Sequence, residues 1–229
     1  MKQFSWSEET KIQWNMRADY WHKHSIEMWD QGSRKDIIPF FRQHVPIGHS
    51  IADLGCGDGY GSFLFWKEGY DVTGMDISEE MVKIAKKHEQ LGLAFVLGDL
   101  NNPPFSDNQF DGIVAINSLE WVEQPLHALN ECKRIVKPNG CACFGILGPT
   151  AQPRKNSYAR LTGEHVICNT MMPWEFEALA VDHGWEKIAE HGVYKRGVAS
   201  QHLQGLSREL KQALTFLTLF MMKNIGKEV

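Results

Sequence analysis

Nowhere in its 229 residues does this chain hold an apolar run long enough to span a bilayer, and it has no block of lysine and arginine. The first absence excludes a transmembrane helix; the second, with a formal net charge of -4, argues against a dominant nucleic-acid surface. Met1-Lys2-Gln3-Phe4-Ser5-Trp6 lacks the apolar core of a signal peptide, so a cytoplasmic protein is expected. The five cysteines form no C-x-x-C pair, and no H-x-x-x-H spacing occurs. No metal site is therefore expected, and the odd cysteine count suits a reducing compartment. Cys141 and Cys143 alternate on an apolar stretch, where they should pack as small hydrophobes. Internal repeats and low-complexity tracts are missing as well. What is present, 43% hydrophobic residues with ample aromatics, is enough for one substantial α/β domain but short for two.

The most informative run is Asp53-Leu54-Gly55-Cys56-Gly57-Asp58-Gly59-Tyr60-Gly61, directly after the apolar stretch Ile51 to Leu54. Alternating glycines allow the positive φ of a tight strand-to-helix turn and let a ligand approach the backbone. Asp53 sharpens the reading. A buried carboxylate beside a pyrophosphate would be repelled with little screening, so the ligand should present a cationic or hydrogen-donating group. The spacing G-x-G-x-G also departs from the dinucleotide G-x-G-x-x-G.

Elsewhere the chain alternates strands and helices. Ser5-Trp6-Ser7-Glu8 has the form of a capping box opening an N-terminal helix or helix pair to about Asp30, and Ser33 is placed to cap a second helix ending near Pro46 and Gly48. Strands are expected at 51–54, 72–75, 94–97, 110–116 and 141–147. Helices are expected at 60–69, from Ser78 to about Gln90, and from Pro125 to Val136. This alternation implies a parallel, doubly wound α/β sheet. Residues 148–172 have no clear period and read as a long, mobile segment, of a kind that in compact domains is either functional or disordered. A helix from Pro173 to His183 and a strand from Trp185 to His191 follow. Residues 215–222, aromatic and partly β-branched, favour a final strand after a helix at 206–214, with a single helix over 207–223 as the alternative.

Asp53, Asp76 and Asp99 thus fall at the carboxyl ends of three successive strands, where open α/β sheets bind ligands. Asp76 stands about twenty residues past the glycines, a distance suited to accepting hydrogen bonds from ribose hydroxyls. Asp99 can accept from an exocyclic amine and Asp53 suits an ammonium group. Singly, Asp76 or Asp99 would read as a helix cap or turn former. Jointly they describe a nucleoside with a positively charged tail.

At this point the chain resembles the class I S-adenosylmethionine-dependent methyltransferases. The matching segments are Asp53 to Gly59, Gly74-Met75-Asp76-Ile77-Ser78 with Met81, Gly98-Asp99-Leu100, and Phe110-Asp111. The resemblance implies a mostly parallel, doubly wound seven-stranded sheet with an antiparallel last strand and an N-terminal helical cap. It also implies one domain over 1–229: a cap (1–48), a cofactor-binding core (49–147), and a variable segment that completes the sheet (148–229). With S-adenosylmethionine as cofactor, Gly55, Cys56 and Gly57 would border the methionine moiety and Asp53 its amino group. Asp76 would hold the ribose, Ile77 and Met81 would cover the adenine, and Gly98, Asp99 and Leu100 would meet its edge. Asn117 and Ser118 would border the sulfonium. Tyr20 and Arg34 would close over the carboxylate, although the plainer expectation makes Arg34 a solvated helix residue. Trp14, Trp21 and Trp29 are likewise expected to be the apolar face of a packing helix.

Asn102-Pro103-Pro104-Phe105 matches a signature of amino-methylating enzymes but precedes the fourth strand instead of ending it, so it reads as a turn. Glu120, His22, His24, Tyr158 and His165 are candidate bases, none singled out, and the catalytic residue stays open. The expected function is methyl transfer to a small-molecule acceptor, roofed by the N-terminal helices and residues 148–172. A non-catalytic S-adenosylmethionine sensor is the alternative, and a dinucleotide oxidoreductase is disfavoured.

Overall fold

The computed structural model describes residues 4–226. Two helices, α1 (Trp6–Asp30) and α2 (Ile37–Arg42), precede a seven-stranded sheet. Its strands are β1 (Ser50–Leu54), β2 (Asp71–Asp76), β3 (Leu93–Leu97), β4 (Phe110–Ile116), β5 (Val136–Leu147), β6 (Trp185–Tyr194) and β7 (Thr215–Asn224), in the order β3-β2-β1-β4-β5-β7-β6. β7 alone runs antiparallel, inserted between β5 and β6. The helices α3 (Tyr60–Lys67), α4 (Glu79–Ala85), α5 (Pro125–Ile135), α6 (Pro173–Asp182) and α7 (Arg208–Ala213) complete the alternation. The strand order reverses between β1 and β4, which places a ligand crevice at their carboxyl ends.

Strand periodicity divides the core. Along β5, Ala142, Phe144 and Ile146 face α5 and α6, and Cys143 faces the opposite layer, where Phe41, Phe65 and Val114 pack. Phe144 meets Phe176 at 5.1 Å and Trp185 at 5.6 Å between ring centroids, and all three are buried. All five cysteines are free.

Several local expectations change. The N-terminus is a single 25-residue helix, and Ser5 makes no side-chain cap; Trp6 and Ser7 fix the first turn by bonding to distant loops. Helix α2 begins at Ile37, after Asp36, with Ser33 left in the preceding turn, and ends at Arg42; Pro39 is tolerated in its first turn. Pro138-Asn139-Gly140 does turn, with Asn139 at φ 65°, but as an irregularity inside β5, whose pairing skips from Val136 to Cys141. Residues 152–162 form a 3-10 run instead of an open loop: Arg154 is buried and donates to the carbonyls of Gly148 (2.8 Å), Met171 (2.7 Å) and Leu147. The C-terminus is a helix followed by a strand, as its composition favours.

Ser78 caps α4 as expected, its Oγ accepting from Met81 N at 3.1 Å while donating to Asn15 on α1 at 2.6 Å. Ser78→Ala should cost about 1 kcal/mol, the usual worth of such a cap, read as a lowered urea midpoint.

Candidate active site

Each glycine of the first turn answers a different steric demand. Gly55, Gly57 and Gly59 lie at φ 79°, 58° and 79°, where a side chain would be strained. A Cβ on Gly55 would also lie 2.7 Å from Cβ of Ser118, at the end of β4. Gly61 has ordinary helical geometry, but a Cβ there would strike the indole of Trp29 on α1. Part of the glycine run thus makes room for the N-terminal helix, not for a ligand.

The turn and the neighbouring strand ends line one cleft of about 900 Å3, its open mouth included. Asp53, Gly55, Cys56, Gly57, Asp76, Ile77, Met81, Gly98, Asp99, Leu100, Asn117 and Ser118 all border it. Asp53 is buried and accepts a hydrogen bond from Ser62 Oγ at 2.6 Å; burial pushes its pKa up to about 6. Asp76 is raised to about 6 for the same reason, against the pull of the Gly57 and Ser78 amides, each 2.9 Å away. Asp99 accepts from Ser7 Oγ at 2.7 Å and from the Asn101 amide at 2.8 Å. At the end of β4, Asn117 adopts φ 54°; its carbonyl accepts from Trp121 Nε1 at 2.6 Å, and the buried Ser118 Oγ has no partner among the described residues.

Arg34 overturns the plainer expectation. It is only 6% exposed and lines the cleft, its guanidinium 4.5 Å from the ring centre of Trp21 and 5.9 Å from that of Trp29. Burial lowers its pKa to about 10, and its one side-chain hydrogen bond among the described residues is to the Met28 thioether at 3.5 Å. An arginine placed this way is suited to an anion from outside. Trp14, Trp21 and Trp29 do pack, but they also wall the cleft, joined by Trp6 from α1 and Trp121 after β4. The spacing of Trp6, Trp14, Trp21 and Trp29 by 8, 7 and 8 residues was the available signal, since two helical turns take about 7.2.

Other expectations fail. Tyr20 is 68% exposed and packs, tilted, against His24 at 4.3 Å between ring centroids, because one step from Trp21 turns it by about 100° to the outer face. None of the five candidate bases lines the cleft. His22 lies 2.9 Å from Asp58, His165 stacks on Phe4, Tyr158 is exposed, and Glu120 is buried behind the wall with Oε1 on the Leu147 amide at 2.6 Å. Residues 148–172 contribute no lining residue. They act one layer back: Ala151, Ile167 and Cys168 support Trp121, and Asn169 Nδ2 bonds the carbonyls of Leu119 (2.7 Å) and Val122 (2.8 Å). Asn102 to Phe105 forms a turn away from the cleft, as expected. Asp111, at the far end of β4, holds Ser50 and Lys137 in a structural role.

A family profile described as "Methyltransferase domain" matches residues 52–144, the stretch that carries the cleft's strand ends. Over that stretch the chain is similar to methyltransferase domains. The biotin biosynthesis bifunctional protein BioHC of Teredinibacter turnerae is 30% identical over 156 residues, covering 62% of this chain and 27% of that protein. The ubiquinone biosynthesis O-methyltransferase of Actinobacillus pleuropneumoniae is 31% identical over 150 residues, covering 58% and 64%. The chain spans from about a quarter to under two thirds of the length of these curated relatives. Among solved structures, a complex of the Haloferax volcanii Trm112 methyltransferase activator and a putative methyltransferase contains a chain of the same fold. It aligns with a TM-score of 0.72 at 19% identity, over 96% of this chain and 99% of that one. The family's cofactor is S-adenosylmethionine. The cleft fits its amino-acid end on two observations: a buried carboxylate, Asp53, and a buried guanidinium, Arg34, that has no carboxylate within ion-pair reach among the described residues.

Proposed function

We propose that the protein transfers a methyl group from S-adenosylmethionine to a small organic acceptor. The observation that carries this reading is the convergence of Asp53, Asp76, Asp99 and Arg34 on one cleft at the sheet's switch point. In this reading Asp53 holds the ammonium group and Arg34 the carboxylate. Asp76 takes the ribose hydroxyls, Asp99 the adenine amine, and Ile77 and Met81 the ring face. Gly55, Cys56 and Gly57 give backbone access, Gly98 and Leu100 border the adenine edge, and Asn117 and Ser118 face the reacting end. The cofactor supplies a methyl already activated by the sulfonium charge. The chain's own contribution is alignment and exclusion of water by the tryptophan walls. The curated relatives are named for biotin and ubiquinone biosynthesis, which supports a small-molecule acceptor in a biosynthetic step. Five free cysteines support cytoplasmic residence, and no helix among the described residues is long and apolar enough to cross a membrane.

Calorimetric titration with S-adenosylhomocysteine and with reduced nicotinamide cofactor tests the cleft. Tight nicotinamide binding without a response to the homocysteine compound would sink the proposal. Asp76→Ala should weaken S-adenosylhomocysteine binding by about 1.5–3 kcal/mol, the range for hydrogen bonds to a charged group. Turnover is tested separately, by screening metabolites for S-adenosylhomocysteine release; binding with no release from any acceptor would favour a sensor.

A further inference from the structure

The tryptophans take only one side of α1. Trp14 and Trp21 face the cleft, and half a turn round the same helix, at about 100° per residue, a second apolar line faces solvent. On it Ile12, Met16 and Ile26 are 49%, 77% and 53% exposed. A surface helix ordinarily turns one apolar stripe inward and a polar face to water, so a helix apolar on both sides has a second surface to cover. The outer line has an order of its own. Ile12, Met16, Asp19, Lys23, Ile26 and Asp30 are spaced by 4, 3, 4, 3 and 4 residues, the seam along which one helix packs on another. All six are exposed, and none of them lines the cleft. Two opposite charges stand at the middle of the seam with apolar residues on either side, and neither Asp19 nor Lys23 has an ion-pair partner among the described residues. Asp30 accepts from Tyr60 Oη at 3.1 Å and closes the seam.

From this pattern we propose that the outer face of α1 docks on the same face of a second copy of the chain, the two helices running antiparallel about a two-fold axis level with Trp21. That axis sets Met16 against Ile26 of the other copy and Asp19 against Lys23, each contact occurring twice. The ion pairs fix direction and register, and Met16 and Ile26 supply the apolar burial. Run parallel, the helices would set Asp19 on Asp19 and Lys23 on Lys23. Slipped by one seven-residue repeat, antiparallel helices would set Asp19 on Met16 or on Asp30. One arrangement thus satisfies both the charges and the apolar residues. A single helix pair buries less than the roughly 1,600 Å2 of a standard interface, so the dimer should be weak, dissociating in the micromolar range. Because the docking face lies opposite Trp14 and Trp21, pairing leaves the residues that line each cleft untouched.

Sedimentation velocity of the full chain, from about 1 to about 300 μM, tests this. Wild type should pass from monomer to dimer across that range. Asp19→Lys alone and Lys23→Asp alone each set like charges opposite one another, and each should raise the dimer dissociation constant by about tenfold or more. An equimolar mixture of these two variants regains both ion pairs, so a heterodimer should form at wild-type concentrations. The variant carrying both exchanges should likewise regain its homodimer. Met16→Lys should remain monomeric throughout. A wild type that stays monomeric at every concentration overturns the proposal and assigns the stripe to a partner of another kind. A dimer that neither charge reversal weakens, or that mixing fails to restore, also overturns it, because the contact then lies on another face.

Discussion

Arg34→Ala should raise the dissociation constant of S-adenosylhomocysteine by about two to three orders of magnitude and leave that of 5′-methylthioadenosine nearly unchanged. Removing one partner of a buried ion pair costs about 3–5 kcal/mol, because the charge left behind is neither paired nor hydrated. The partner here would be the ligand's carboxylate, so the penalty appears only with a ligand that carries one. Arg34→Lys should recover little, since an ammonium cannot reproduce a planar fork stacked between Trp21 and Trp29. Calorimetry with the two nucleosides reads both numbers. Equal losses for the two would mean that Arg34 shapes the cleft as a whole and does not contact the tail.

Asp53→Asn should have opposite effects on binding and on the free protein. With its pKa lifted by burial from 3.8 to about 6, Asp53 favours the fold when protonated. That contribution is fully present below the unfolded pKa and is lost as pH rises through about 6. The loss at neutral pH corresponds to ~3 kcal/mol. Asparagine keeps an acceptor for Ser62 and carries no charge. The variant should therefore unfold at higher urea than wild type at pH 8, by up to ~3 kcal/mol, with no advantage near pH 4. Its affinity for S-adenosylhomocysteine should nevertheless fall, since the ammonium group loses its counter-charge. In wild type, the same affinity should decline as pH drops below about 6, where Asp53 takes up a proton. A variant no more stable than wild type at pH 8 would show that the carboxylate is not strained in the free protein.

The sheet and the three strand-end aspartates could be read from the chain because parallel strands buried on both faces are continuous apolar runs. Each run here ends in a turn whose residues have few alternatives. Arg34 could not be read that way. Arginine ordinarily faces water, and nothing near position 34 signals that Trp21 and Trp29 enclose it. The N-terminal helix showed its period but not its partners. Ser5 and Ser33 had the form of caps, yet tertiary bonds from Trp6 and Ser7 and the turn at 31–36 decided those ends. Residues 148–172 lack a period because a 3-10 run has little face of its own, and Arg154 anchors it through backbone carbonyls that no side-chain pattern encodes. At 215–222, by contrast, β-branched and aromatic residues suited a strand buried on both sides.

The Trp6 to Trp121 bond joins residues 115 positions apart, and the Ser7 to Asp99 bond spans 92. A helix thus waits for loops that follow it much later in the chain, and contacts of such separation are slow to form. Assembly should therefore run against chain order: the sheet consolidates, and α1, which precedes it, docks last. Substitutions on the inner face of α1 should then alter the cleft wall while the sheet folds as before.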